Sequence, residues 1–301
     1  MRIAVASGKG GTGKTTVSVA LAQAYDGPVC LLDCDVEEPN SALFIRPEIQ
    51  SRQNATVPVP EIDTDTCTAC GACSSLCAFN AIAVAGQSAM VFPDLCHSCG
   101  GCVRICPQQA ITESLQPIGE ITRGQAGHIT AIEGRLNIGN AMAPPLIRAV
   151  KKAEPPEVPV LIDAPPGTAC PMITAVSDCD FVVLVTEPTP FGLNDLKLAV
   201  KTVRTLEIPF GVIINRSDAG DDRVVRYCKE EEIQILLQIP ESRKIAEATS
   251  RGESILTAEP ALKEQFQALI HSIKDLQTTR DEKENLPRIT RMNTNKKRLH
   301  S

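Results

Sequence analysis

The chain has 301 residues, enough for one large domain or two smaller ones. Its net charge of −6 argues against a surface built to coat nucleic acid. No apolar run nears the ~18 residues of a membrane span, so stable membrane insertion is not expected. Aromatic residues make up 3% and Trp is absent, so the core must come from Ala, Val, Ile and Leu, as in buried parallel strands. The N-terminus runs straight into a strand-like stretch with no charged-then-apolar leader, and a cytoplasmic protein is expected. In that compartment thirteen cysteines argue for metal ligation rather than disulfides.

Residues 3–6 read as a first strand and 17–22 as the start of a buried helix. Between them stand Gly8, Lys9, Gly10, Gly11, Thr12, Gly13, Lys14, Thr15 and Thr16. Gly8, Gly13, Lys14 and Thr15 satisfy the G-x-x-x-x-G-K-[ST] spacing of a phosphate-binding loop. The glycines let several N–H groups face one anion, and the helix N-terminus adds partial positive charge. Lys14 is expected to reach the β- and γ-phosphates of a nucleoside triphosphate, and the Thr15 hydroxyl to bind Mg²⁺. A second strand, 28–32, ends in Asp33-Cys34-Asp35 and a loop through Asn40. Acidic residues beside such a loop suit metal or water positioning; a helix cap or solvated turn explains them equally well.

Two cysteine runs follow. Cys67, Cys70, Cys73 and Cys77 have the same spacing as Cys96, Cys99, Cys102 and Cys106, the latter followed by Pro107. Paired runs of this kind are the two-cluster bacterial ferredoxin pattern, in which the fourth cysteine of each run crosses to the other cluster. One [4Fe-4S] cluster would use Cys67, Cys70, Cys73 and Cys106; the other Cys96, Cys99, Cys102 and Cys77. Structural zinc is the weaker reading, because zinc ribbons use separated pairs. Gly71, Gly100 and Gly101 let the backbone approach closely. Ala78 stands where the pattern usually has proline, and Ala81-Ile82 echoes Ala110-Ile111, a sign of internal duplication. His97 reads as a spectator or a tuner of potential.

Residues 115–136 read as a strand pair turning around 124–127, and 142–152 as a short helix. A buried strand, 158–162, ends in Asp163, the Walker B pattern in which a carboxylate holds Mg²⁺, with Gly167 in a γ-phosphate-sensing loop. Strands at 181–185, 210–214 and 233–239 alternate with helices at 193–206, 222–230 and 242–250. That alternation predicts an α/β, doubly wound, mostly parallel sheet carrying an inserted ferredoxin-like α+β domain. A last helix, 261–276, places Leu262, Phe266, Leu269, Ile270 and Ile273 on one face. Residues 277–301 are polar and basic and are expected to be disordered, with too few apolar residues to favour a membrane-binding helix. The expected units are 1–56 and 114–276 for the nucleotide-binding domain and 57–113 for the insert.

The loop from Lys9 to Thr15 resembles the deviant Walker A loop of the MinD/ParA/Mrp and nitrogenase-iron-protein superfamily. Asp33-Cys34-Asp35 is similar to its switch I and Asp163-Ala164-Pro165-Pro166-Gly167 to its switch II. Up to about residue 276 the chain looks like P-loop ATPases with an inserted two-cluster ferredoxin domain; residues 186–192 and Ile239-Pro240-Glu241 fit that subgroup. The resemblance implies that Lys9 reaches the partner subunit's phosphates in an ATP-sandwiched dimer. It implies that Asp35 orients the attacking water with Asp33 in support, that Asn215 reads the adenine, and that Pro240 belongs to the nucleotide-binding set. Cys170 sits where the nitrogenase iron protein has a bridging cysteine. Without a second cysteine between Cys106 and Cys170, it reads instead as a small buried residue before Pro171. Cys30, Cys34, Cys179 and Cys228 read as core.

The insert leaves after switch I and returns before switch II. ATP hydrolysis is therefore expected to control electron or metal-cluster transfer to a client protein. The dimer would be a homodimer or one formed with a paralogue, without nucleic acid. Competing readings are a MinD/ParA-type positioning ATPase with redox-sensing clusters, and a cobyrinate-type amide ligase, for which no glutaminase domain remains.

Overall fold

The computed structural model describes residues 1–140, 142–155 and 157–284. In chain order its strands are β1 (Arg2–Ala6), β2 (Val29–Asp33), β3 (Glu48–Ile62), β4 (Ile82–Ala85), β5 (Ser88–Val91), β6 (Ile111–Ala126), β7 (Ile129–Leu136), β8 (Val160–Asp163), β9 (Phe181–Thr186), β10 (Phe210–Asn215) and β11 (Ile235–Ile239). Its α-helices are α1 (Lys14–Ala24), α2 (Ser41–Ile45), α3 (Ala72–Leu76), α4 (Gly101–Ile105), α5 (Ala143–Lys152), α6 (Cys170–Val176), α7 (Pro190–Thr205), α8 (Arg223–Glu230), α9 (Arg243–Ser250), α10 (Ile255–Ala258) and α11 (Ala261–Glu284).

Nine strands form one sheet in the order β11-β10-β9-β1-β8-β2-β7-β6-β3. From β11 to β7 every neighbouring pair is parallel; β6 and β3 are added antiparallel at one edge. Alternation along each strand divides the core between two faces. Ala4 and Ala6 of β1 and Val182 and Leu184 of β9 face one layer, with Leu146 and Ile147 of α5 and Val200 of α7. Ile3, Val5, Val183 and Val185 face the other, with Leu21 of α1 and Phe266 and Ile270 of α11. Small aliphatic side chains suffice because both faces are covered by helices. The five apolar positions expected on the last helix are all buried there. No helix among the described residues is long and apolar enough to cross a membrane.

Three readings of the sequence change. β3 was not anticipated. Its first seven residues are exposed, and apolar alternation begins only at Ala55, Val57 and Val59. Pro58 and Pro60 are tolerated because β3 is an edge strand. The disorder expected from residue 277 does not begin there: α11 stays helical through Glu284, with no Gly or Pro to interrupt it. Residues 285–301 of the expected tail lie outside the described residues. Cys170 is exposed at the start of α6, not buried, because Ala169 and Cys170 sit on the outer side of the turn after switch II.

The cysteine runs lie beyond the sheet edge. β3 and β6 stay paired from Glu48↔Gln125 to Ile62↔Ile111, whereas β7 accompanies β6 only from Gly119 onward. Their far ends therefore project as a two-stranded ribbon that carries α3, the β4–β5 hairpin and α4. Positions 57 and 113, the expected limits of the insert, both fall within continuous strands.

Candidate functional site

β1 ends at the glycine loop and α1 starts at Lys14, so the helix N-terminus points into the loop. Gly13 has φ 93° and takes the left-handed conformation; a side chain there would also strike Asn215 Nδ2. Gly8 lies directly against the backbone of Asp195 in α7, leaving no room for a Cβ. Asn215, at the end of β10, braces the loop by donating Nδ2 to the Thr12 carbonyl at 2.9 Å. The loop opens on a cavity of about 380 Å³. Gly10, Gly11, Gly13, Lys14, Thr15, Thr16, Asp35, Asn215 and Pro240 all line it, so residues 230 positions apart in the chain meet at one place. Lys9 is absent from this lining, and Thr12 is buried beneath it with its hydroxyl unpaired. Sequence reasoning missed Glu38 and Phe44 on one wall and Ile245 and Thr249 of α9 on the other. Glu38 was legible from its place in the switch I loop. The α9 residues have no local signal, because only the fold brings them to the nucleotide end.

The three aspartates have separate places. Asp33 is fully buried, and Oδ2 accepts from the backbone N–H groups of Asn40 (3.0 Å) and Ser41 (2.9 Å). Oδ1 accepts from Asp35 N–H at 3.2 Å. Asp33 thus folds the switch I loop and caps α2. Asp163 is also fully buried; Oδ1 accepts from Ser18 Oγ at 3.0 Å, while Oδ2 has no partner. Burial, with the Asp33 charge, pushes Asp163 up to about 7, against the pull of Thr15, Lys14 and Ser18. Asp35 faces the cavity, and burial raises it to about 6; Lys14 opposes the rise, while Asp33, Glu37 and Glu38 add to it. An unpaired carboxylate oxygen close to the Thr15 hydroxyl is a hard-oxygen donor set of the kind Mg²⁺ takes. A carboxylate poised near pH 6 on the cavity wall is suited to orient water and accept its proton.

The switch loops are tied into the sheet. Cys34 N–H donates to the Asp163 carbonyl at 2.9 Å, and Gly167 N–H to the Ser7 carbonyl at 3.0 Å. At the edge, Leu136 N–H donates to the Val36 carbonyl of switch I at 2.8 Å, and Asn137 N–H to the Ile118 carbonyl of β6 at 2.9 Å. Adjacent residues therefore join switch I to the strand that carries the cysteine ribbon.

The eight run cysteines gather around two cavities. Cys67, Cys70, Cys73 and Cys106 line one of about 20 Å³. Cys77, Cys96, Cys99 and Cys102 line another of about 220 Å³, with Cys73 at the boundary between them. Gly71 (φ 78°) and Gly100 (φ 67°) turn the chain into α3 and α4 at these sites. Backbone N–H groups point at sulfur: Ala69 to Cys67, Ala81 to Cys77, Ser98 to Cys96 and Ala110 to Cys106, at 3.3–3.4 Å. His97 stacks on Phe79, with ring centroids 3.5 Å apart. Among the described residues no three His, Cys, Asp or Glu side chains converge closely enough for a single metal ion. Cys30, Cys34, Cys179 and Cys228 are buried, and burial pushes all four thiols up, Cys30 and Cys179 to about 12. They are core residues.

A family model described as the CobQ/CobB/MinD/ParA nucleotide binding domain matches residues 3–255. The chain is 30% identical over 268 residues to the uncharacterized protein MJ0579 of Methanocaldococcus jannaschii, covering 85% of this chain and 91% of that one. It is 35% identical over 223 residues to MJ0578 of the same organism, covering 72% and 78%. A shorter stretch, 38% of this chain and 45% of the relative, is 30% identical to the iron-sulfur cluster carrier protein of Methanococcus maripaludis. Among solved structures, the septum site-determining protein MinD of Pyrococcus horikoshii OT3, complexed with Mg-ADP, shares the fold. Its TM-score is 0.56 at 20% identity, covering 91% of this chain and 96% of that one. The family match spans every parallel strand of the sheet and both switch loops. The chain belongs to the CobQ/CobB/MinD/ParA nucleotide-binding family, and it is an ATPase.

Proposed function

We propose that this ATPase is an iron–sulfur protein in which nucleotide-driven dimer closure controls electron or metal-cluster exchange with a client protein through two [4Fe-4S] clusters. The observation that carries this reading is the grouping of the cysteines. With Cys73, which touches both cavities, counted in the first, each takes three cysteines of one run and the last of the other, the crossed set that paired cubane clusters need. A cubane spreads its thiolates around four irons, farther apart than the ligands of one ion, which suits a module without a single-ion site. Soft thiolates that receive backbone N–H donors fit such a group. Bound clusters would supply one-electron redox chemistry or serve as cargo. The stretch of sequence shared with an iron-sulfur cluster carrier protein supports the same assignment.

At the nucleotide, Lys14 and the N–H groups of Gly10, Gly11, Gly13 and Thr16 hold the phosphates. Thr15 and Asp163 would hold Mg²⁺, which neutralises phosphate charge when bound. Asp35 orients the attacking water, held in place by the Asp33 cap on its loop. Asn215 and Pro240 bind the adenine. Lys9, outside the lining of its own cavity, reaches the partner copy's phosphates and stabilises the charge that develops there. The energetic requirement is a dimer with higher affinity for ATP than for ADP. The partner copy is a second copy of this chain or a paralogue of it. The hydrogen bonds from Leu136 and Asn137 give the ribbon a direct hold on switch I, so closure and module tilt are linked. Full-length protein prepared without oxygen should carry about eight irons per chain, with cubane charge-transfer absorption. A preparation that binds zinc alone would end this reading.

A further inference from the structure

The two cysteine cavities are not equivalent. The one lined by Cys77, Cys96, Cys99 and Cys102 is open to about 220 Å³, whereas the side chains around Cys67, Cys70, Cys73 and Cys106 close in on about 20 Å³ and must part to take a cubane and close around it. The sequence departure falls on the same side. Pro107 follows Cys106 at the narrow cavity, whereas Ala78 follows Cys77 and lines the wide one. Proline fixes φ and stiffens the narrow loop; alanine leaves the other loop freer and its cavity less filled. Ser98 and Ala69 hold matching positive-φ positions, so the backbone frames are alike and the difference lies in the side chains. Over the wide cavity lies the Phe79–His97 stack. Phe79 is 41% exposed and Leu76 beside it 50%, an apolar rim around an opening walled by cysteines. The narrow cavity has no such cover, although Cys70 and Cys99 are both exposed.

Resting on the two-cluster reading above, we infer that the wide cavity is the port of the module. The cluster held by Cys77, Cys96, Cys99 and Cys102 loads and leaves there, and the stacked Phe79–His97 pair is its cover. The narrow cavity retains its cluster. Position supports a controlled port. Pro58 and Pro60 of the ribbon back the wide cavity, and Cys96 packs against the core of the ATPase sheet. Movement of the ribbon against the sheet bears on this cavity directly.

The test uses the full chain with both clusters assembled, under anaerobic dithionite, with bathophenanthroline disulfonate as iron trap. In release, the four Fe–Sγ bonds at the port break, the irons bind the chelator, and the sulfides leave to solvent. Dithionite supplies the electrons that make all four irons ferrous, and the thiolates stay on the protein. Iron loss should be biphasic, with half in a fast phase. Phe79→Ala should speed the fast phase several-fold, and Ala78→Pro should slow it several-fold while the slow phase is unchanged. Cys96→Ser with Cys99→Ser should abolish the fast phase and leave the slow half bound, which also shows that the module still folds. Single-phase loss from a chain carrying eight irons, or a fast phase surviving the double variant, would overturn the inference alone. A chain that assembles no cubane clusters would instead overturn the reading beneath it.

Discussion

Asp163 offers the sharpest test of the nucleotide site, because its charge is expensive when no ligand is bound. The carboxyl is fully buried, lies near buried Asp33, and leaves Oδ2 without a partner. Moving it from 3.8 to about 7 corresponds to about 4 kcal/mol, at about 1.4 kcal/mol per pH unit. The sign follows from linkage. The folded chain keeps this proton up to about pH 7, while the unfolded chain releases it near 3.8. The folded form therefore binds more protons in that window, and stability falls as pH rises through it. Asp163→Asn keeps an acceptor for Ser18 and removes the charge. Without nucleotide the variant should melt higher than the parent at pH 8. With about 2–4 °C per kcal/mol, the full penalty corresponds to a gap of about 8–16 °C. At pH 5, where the folded carboxyl is protonated but the unfolded one is still ionised, the gap should shrink to well under half its size at pH 8. Mg-ATP should reverse the order at pH 8 by stabilising the parent and not the variant. Anaerobic calorimetry of both proteins at the two pH values reads all of this. A variant that melts lower at pH 8 without nucleotide, or a gap that ignores pH, would refute the account of Asp163 as a carboxylate held for a cation.

Lys9→Ala should bind ATP nearly as well as the parent yet lose ATP-dependent dimerisation, read by light scattering; unchanged dimerisation would remove the shared-site dimer. Asp35→Asn should lose roughly 10²–10⁴-fold in kcat, the range for a positioned base. The parent rate should fall as the pH drops through about 6, where Asp35 takes up a proton. The variant should lack that limb, and a retained limb would assign it to another group.

The glycine loop, Asp35 and Asp163 stand out in the sequence because the chemistry proposed for them demands particular residues at fixed spacing after short apolar strands. The parallel sheet was legible from aliphatic runs bounded by turns. A helix cap was one of two equal readings of the Asp33 and Asp35 acids, and Asp33 takes it; which acid caps was not readable, since that depends on the backbone of Asn40 and Ser41 returning to Asp33. β3 was hidden because an edge strand with one face in water needs little apolar pattern, and its prolines resemble a linker. The α9 wall of the cavity could not be read at all, because nothing local to α9 records which loops it will meet.

The paired ends of the ribbon have a consequence for how such a chain can arise. Asp63 N–H donates to the Ala110 carbonyl at 2.8 Å, beside the last strand pair, Ile62 and Ile111. To the sheet, everything between them is a hairpin tip. Closing a long loop between ends already held together costs little more than closing a short one. A cysteine module can thus be grafted onto, or excised from, an edge hairpin of an ATPase without disturbing the strands that hold the phosphate loop. The same graft leaves the new module on a strand whose neighbour touches switch I, so an insertion of this kind is coupled to the nucleotide from its first appearance.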